Sequence, residues 1–456
     1  MFKYTRNFIC QLCWQIQNFL MKFQWLGKRF ILSHTIKKID AFGKNIILVF
    51  LGTSLVNVFN LLYQLLIAHR MSGIDFAGFN SLLAIFTLIS SPLATLQTGV
   101  AKYTAEFNSQ GQIKRIKALL SELIRKALPL AVITFVIFCF LSFYIMDKLK
   151  ISSILAGYIL AALLALSLVT PVLAGALQGL ELFKWFVSQS VIGGALKLIF
   201  AFIFISLGFN IAGALGAFLI AGLIVVIILF FPLKSFLSFK KIEDGINLKE
   251  FILYLAPVAS SLFCFSALVN FDMVMVKYLF SPLEAGFYSL AQMIGKIFLF
   301  LPCAISIVMF PKAAGLNAKN MDTGHTLNRS LLYGCSLCII ANLFFNLFPS
   351  FTLNILTGKA SAESVVLGRL FGISMSFFTL LFILINYFLS IKDMRFMKYL
   401  ILSALLQPLA IILIHKTLIH VQLILCINSI LIFFINLALA FKKYEPRYKF
   451  IITGAN

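Results

Sequence analysis

The sequence predicts an all-α integral membrane protein of about 12 transmembrane helices. Three observations carry that expectation. Apolar residues make up 61% of the 456 positions and charged residues only 12%, where soluble domains are roughly half apolar and a quarter charged. The mean hydropathy is +1.01. The apolar residues also fall into runs of about 20, the length that carries a helix across a hydrocarbon core of ~30 Å at ~1.5 Å per residue. Little length remains for a large soluble domain.

Taken in order, the runs predict helices over Asn45–Ile67, Phe76–Val100, Ala127–Met146, Ser153–Leu177, Gln189–Leu207 and Ile211–Phe231, then Phe251–Leu279, Glu284–Phe310, Ser330–Phe348, Val365–Ser390, Met397–Ile414 and Val421–Phe441. The basic, aromatic segment 1–40 could be an interfacial amphipathic helix or a mis-assigned start, with Met21 an adequate initiator. Residues 41–233 form a first block of six helices and 251–443 a second, joined by a basic connector over 234–250 and followed by a tail over 444–456. Between the second and third helices, Ile113, Ile116, Leu119, Leu120 and Leu123 recur at helical spacing opposite Lys114, Arg115 and Lys117, which predicts an amphipathic surface helix. Pro92, Pro171, Pro257, Pro302 and Pro408 fall inside the predicted helices, where they release backbone carbonyls and bend the chain.

The net charge of +23 would suggest nucleic acid in a soluble protein. Here it reads as orientation, and no nucleic-acid partner is expected. Of the 38 Lys and Arg, 29 lie in the N-terminus, the C-terminus and the even-to-odd loops, 6 in the opposite loops, and 3 (Lys197, Lys296 and Arg369) inside helices. Basic loops stay in the cytoplasm, so both termini are expected there. The two C-x-x-C pairs, Cys10/Cys13 and Cys335/Cys338, lack further ligands nearby and read as small apolar residues. An enzyme would need clustered acids or histidines in a sizeable loop. The outer loops are short, and His415 and His420 have no acid beside them. A non-enzymatic membrane protein without cofactors is therefore expected.

The two blocks resemble each other. Ala77, Gly78, Phe79, Ser81 and Leu82 align with Ala285, Gly286, Phe287, Ser289 and Leu290, and a lysine follows each aligned helix, Lys102 and Lys312. Each block begins on the same side, so the repeat is parallel. Such repeats pack as two lobes around a central path. The expected architecture is two pseudo-symmetric six-helix lobes around a central cavity.

Ionisable groups inside a bilayer are costly, so each is a functional candidate. Lys296 falls near the middle of the eighth helix with Ser289 and Gln292 on its face, and Lys197 is similarly central in the fifth. Lys296 could pair with Asp272 of the seventh helix or meet a substrate. Asp272 is the candidate proton or sodium site. Arg369 lies two turns into the tenth helix, and Asn57, Asn60 and Gln64 stripe the first. Interhelical hydrogen bonding alone could explain such amides. The excess of buried cations suits an anionic substrate.

The elements Asp75…Gly78-Phe79 and Glu284…Gly286-Phe287-Tyr288-Ser289, the run Leu177–Phe183, Asp272 and Phe310-Pro311-Lys312 together resemble the polysaccharide-export branch of the multidrug/oligosaccharidyl-lipid/polysaccharide exporter superfamily. That resemblance implies a flippase of the O-antigen or capsule type in a bacterial or archaeal inner membrane. Its substrate would be an undecaprenyl-pyrophosphate-linked oligosaccharide, and a polysaccharide polymerase or export machinery could be its partner. Within the superfamily, a cation-coupled multidrug exporter would favour acids over lysines in its cavity. A lipid II flippase would be expected to carry a deep arginine in the first helix, which here offers only amides.

Overall fold

The computed structural model describes residues 41–237, 248–300, 303–319 and 321–442. The segment 1–40 with Cys10 and Cys13, most of the connector, Pro302 and the tail lie outside the described residues. Among the described residues the chain forms 14 helices: α1 (Ala41–Arg70), α2 (Gly73–Ser109), α3 (Ile113–Lys148), α4 (Ile154–Gly179), α5 (Phe183–Ser206), α6 (Asn210–Leu233), α7 (Leu248–Leu279), α8 (Pro282–Phe300), α9 (Cys303–Ala318), α10 (Gly324–Leu347), α11 (Pro349–Thr357), α12 (Ala362–Ser390), α13 (Met397–Leu413) and α14 (Leu418–Phe441).

The chain divides into two compact units, residues 1–55 and 56–456. In the first, the described residues begin α1, and the Thr53 hydroxyl donates to the carbonyls of Val49 and Phe50 in its own helix. The second holds all the packing considered below.

Ten helices among the described residues are long and apolar enough to cross a membrane. The other two expected crossings take different forms. The stretch predicted as one helix over Glu284–Phe310 is described as α8 and α9, and the eleventh is the 17-residue apolar helix α13. Large apolar side chains such as Phe140, Val308, Leu347 and Leu413 stand exposed on these helices, as lipid-facing positions require.

One predicted element is corrected and one is added. The amphipathic stretch after the second helix is not a separate surface helix, because α2 runs on to Ser109 and α3 begins at Ile113. Ile116, Leu119, Leu120 and Leu123 are buried with Val100, Phe107, Val172 and Leu173, and with Phe251 and Leu255 of α7, so their periodicity reports packing inside the bundle. Ile113 stays exposed. The short α11 was not expected. Its Pro at the first turn and Gly358 beyond its end, at φ 68°, are the ordinary start and stop of a helix.

The two halves repeat one packing pattern. In the first, α4 packs on α2, α3 and α6, and α5 packs on α6; in the second, α12 packs on α8, α9, α10 and α14, and α13 packs on α14. Across the halves, α2 lies against α7 and α8. Close approach of α4 to α2 depends on Gly175 and Gly179, one turn apart. A Cβ at either would lie 2.5 Å from a backbone oxygen of α2, that of Gln97 or of Ala101. This is the small-xxx-small contact by which membrane helices bring their backbones together.

Candidate functional site

The structure builds a polar site in each half. In the first, a cavity of about 380 Å³ is lined by α1, α2, α4, α5 and α6, with Asn60, Ser90, Ser167, Thr170, Gln189 and Lys197 among its polar residues. One turn before Lys197, Gly193 and Gly194 let α5 approach its neighbours: a Cβ at Gly193 would meet Val225 at 2.7 Å and one at Gly194 would meet Phe59 at 3.3 Å. The Lys197 ammonium donates to Asn60 Oδ1 at 2.5 Å. It also lies 4.6 Å from the ring centre of Tyr63 and 5.1 Å from that of Phe218. Tyr63 is held in place by its hydroxyl, which donates to the Ala214 carbonyl at 2.9 Å. Among the described residues no carboxylate lies within salt-bridge distance of Lys197. An amide oxygen and two ring faces offset the burial of the charge without neutralising it.

In the second half, Asp272 of α7 is fully buried. Its Oδ2 accepts from the Tyr288 hydroxyl at 2.7 Å and from Gln292 Nε2 at 3.1 Å, and its Oδ1 also accepts from Gln292 at 3.3 Å. Tyr288 and Gln292 stand one turn apart on α8, so one face of that helix supplies both donors. Tyr288 packs edge-on against Phe371 of α12. Gln292 Oε1 is buried and has no hydrogen-bond partner, which leaves an acceptor beside the carboxylate. Lys296, one turn further, is half-buried and attracts Asp272 electrostatically. It forms no salt bridge with any described acid.

The expected substrate face of α8 is therefore divided. Gln292 turns to Asp272, whereas Ser289 accepts a hydrogen bond from Asn80 of α2 at 2.8 Å. Of the remaining candidates, Asn60 joins Lys197. Asn57 and Arg369 are exposed, Gln64 is half-buried, and the structure brings none of the three into hydrogen bonding with either lysine. Tyr288 was missed in the sequence. The available signal was its spacing of four from Gln292 on the face that carries Lys296. A second amide network was also missed, in which Asn428 Nδ2 donates to Gln407 Oε1 at 2.7 Å and Gln407 Nε2 donates to the Leu268 carbonyl at 2.8 Å.

Residues 42–315 match the profile of a family described as polysaccharide biosynthesis protein. No curated protein matches the chain. Among solved structures, the fold is similar to an inward-facing multidrug resistance MATE family transporter of the MOP superfamily, at TM-score 0.68 and 16% identity over 84% of this chain and 94% of that one. It is similar to the lipid II flippase MurJ in an inward closed conformation, at TM-score 0.66 and 14% identity over 88% of each chain. A third similar structure, at TM-score 0.53 and 16% identity over 87% of this chain and 95% of that one, is a MOP superfamily transporter from Pyrococcus furiosus Vc1 (DSM3638), described by the reverse polarity of its binding pocket. At these identities the likeness is one of fold.

Proposed function

Because the chain belongs to the polysaccharide biosynthesis protein family, we propose that it moves an undecaprenyl-pyrophosphate-linked oligosaccharide from the inner to the outer leaflet of a prokaryotic cell membrane, with both termini cytoplasmic. The observation that carries this reading is the pair of membrane-embedded lysines, Lys197 and Lys296, neither neutralised by a salt bridge to a described acid. A pyrophosphate carries about two negative charges, and taking it unpaired into hydrocarbon is prohibitive. Lysines held at membrane depth offset that cost. Hydroxyls and amides such as Ser90, Thr170 and Gln189 offer the hydrogen bonds that a sugar needs. In this reading residues 41–233 and 251–443 are the two lobes, and their rocking carries the head group across while the lipid tail stays in the bilayer. A cation-coupled multidrug exporter would instead require carboxylates in the position of the lysines.

The test is complementation. Expression in a bacterial strain lacking its own oligosaccharide flippase restores surface glycan. A protein that reaches the membrane in normal amount and restores none, across several glycan backgrounds, removes the proposal.

Asp272 is the coupling candidate in the same scheme, because Tyr288 and Gln292 fix its orientation and Gln292 Oε1 adds an unused acceptor. Asp272→Asn keeps the shape and removes the charge. Export by this variant is expected to lose its dependence on sodium or on pH. An unaltered dependence reduces Asp272 to an internal anchor for Tyr288 and Gln292.

A further inference from the structure

At the end of the bundle where α1 turns into α2, each half reaches into the other with one lysine. Lys359, in the turn before α12, donates to the carbonyls of Ala68, at 3.1 Å, and of Met71, both at the C-terminal end of α1. Lys150, in the turn after α3, donates to the carbonyl of Phe280 at the C-terminal end of α7, at 2.9 Å. The bonds to Met71 and Phe280 are images of each other under the repeat. Lys150 and Lys359 are 209 positions apart, and so are their acceptors Met71 and Phe280. The helix starts beside them follow the same interval. Ser72 caps α2 with Asp75, and Ser281 caps α8 with Glu284.

The last carbonyls of a helix have no partner within it and carry the negative end of its dipole, so an ammonium group placed there is stabilised. Here the carbonyls belong to one half and the ammonium to the other. Three further contacts cross the same seam. Gly73 and Gly286 pack backbone to backbone, where a Cβ at Gly286 would meet Gly73 at 3.1 Å. Asn80 bonds Ser289, and the His69 ring packs against Gly358. Lys277, also in this region, is buried beside Lys150 and Asp75. Burial pushes the Lys359 ammonium below the usual lysine range, while the Asp75 carboxylate pulls it back up.

From this reciprocity we infer that Lys150 and Lys359 are a matched pair of latches that hold this end of the molecule closed, and that both are released together when the halves part. Separation of the halves takes each ammonium away from its carbonyls, so the bonds stabilise the closed arrangement alone. The pairing also explains why one lysine comes from each half. A rotation about the repeat axis strains both contacts at once.

The test is a cysteine reporter at Met71, which is buried in the seam and whose carbonyl survives side-chain substitution. In a full-length chain otherwise lacking cysteine, Met71→Cys is labelled with a hydrophilic maleimide in permeabilised cells, so that the reagent reaches both faces and no sugar substrate is needed. The outcome is thus separate from that of the flippase proposal. Lys150→Gln and Lys359→Gln are each expected to speed labelling, and the two together by about tenfold or more, the worth of charge-assisted hydrogen bonds. Arginine at both positions donates to the same carbonyls and is expected to restore slow labelling. Unchanged labelling in a double Gln variant that inserts normally overturns the inference. So does an equal rise at a second reporter, Ala161→Cys, buried within the first half, since that reports general loosening.

Discussion

Lys296→Ala is expected to abolish surface glycan export while the protein still inserts. Removing one partner of a desolvated charge contact costs about 2–5 kcal/mol, which corresponds to a fall in flux of about 30-fold or more. The expected effect is large because Lys296 has no salt bridge to a described acid, which in the proposed reading leaves its charge to meet the pyrophosphate. Asp272 keeps its bonds from Tyr288 and Gln292 in the variant, so the site is not expected to collapse. Surface glycan is read by immunoblot in a flippase-null strain, with membrane protein quantified in parallel. Lys296→Arg retains the charge and is expected to keep part of the activity, and Lys296→Met is expected to behave like Ala. Normal export by the Ala variant would sink the pyrophosphate contact and leave Lys296 as a structural neighbour of Asp272.

Gly175→Leu together with Gly179→Leu prevents stable assembly of the first half. Each added side chain begins with a Cβ that would stand 2.5 Å from a backbone oxygen of α2. Backbone cannot swing aside as a flexible side chain can, so the helices must separate. Overpacking of this kind costs about 1–3 kcal/mol per site and occasionally more, so the two together remove a large part of the ~5–15 kcal/mol by which a typical fold is stable. The measurement is thermal unfolding in detergent, with a marked fall in Tm or loss of the monodisperse species expected. Gly315→Ala is the matched control, because a Cβ there meets nothing within 4 Å. A double variant as stable as the parent would show that α2 and α4 do not depend on this contact.

Much of the fold was legible because the bilayer leaves few choices. Backbone groups in hydrocarbon must bond within a helix, so each long apolar run becomes one. The repeat was legible through Ala-Gly-Phe and its following Ser-Leu, since these occupy the crossing of α2 with α8, where Gly286 lies on Gly73 and Ser289 on Asn80. The lysines inside helices and Asp272 were legible because charge is rare at membrane depth. Their partners were not. Along Ser289, Gln292 and Lys296 the helical period alone suggests a single functional face. The fold sends the first to the opposite half and the second to Asp272.

In the sequence, Lys150 and Lys359 are only two of the six charges in the sparser loops. Nothing local distinguishes them from the solvated lysines around them, because what each meets is a backbone carbonyl 130 or 288 positions away. The sequence by itself determined the membrane class and the helical content, which follow from transfer of side chains and backbone out of water, and the duplication, which follows from the repeated residues Ala77–Leu82 and Ala285–Leu290. Only the tertiary structure decided that Lys197 rests on Asn60 between two rings in one half, that Asp272 is held by Tyr288 and Gln292 in the other, and that two lysines cross between the halves. Hydrophobicity sets which segments leave water. Hydrogen bonds are short and directional, so their partners are chosen only once the helices have packed.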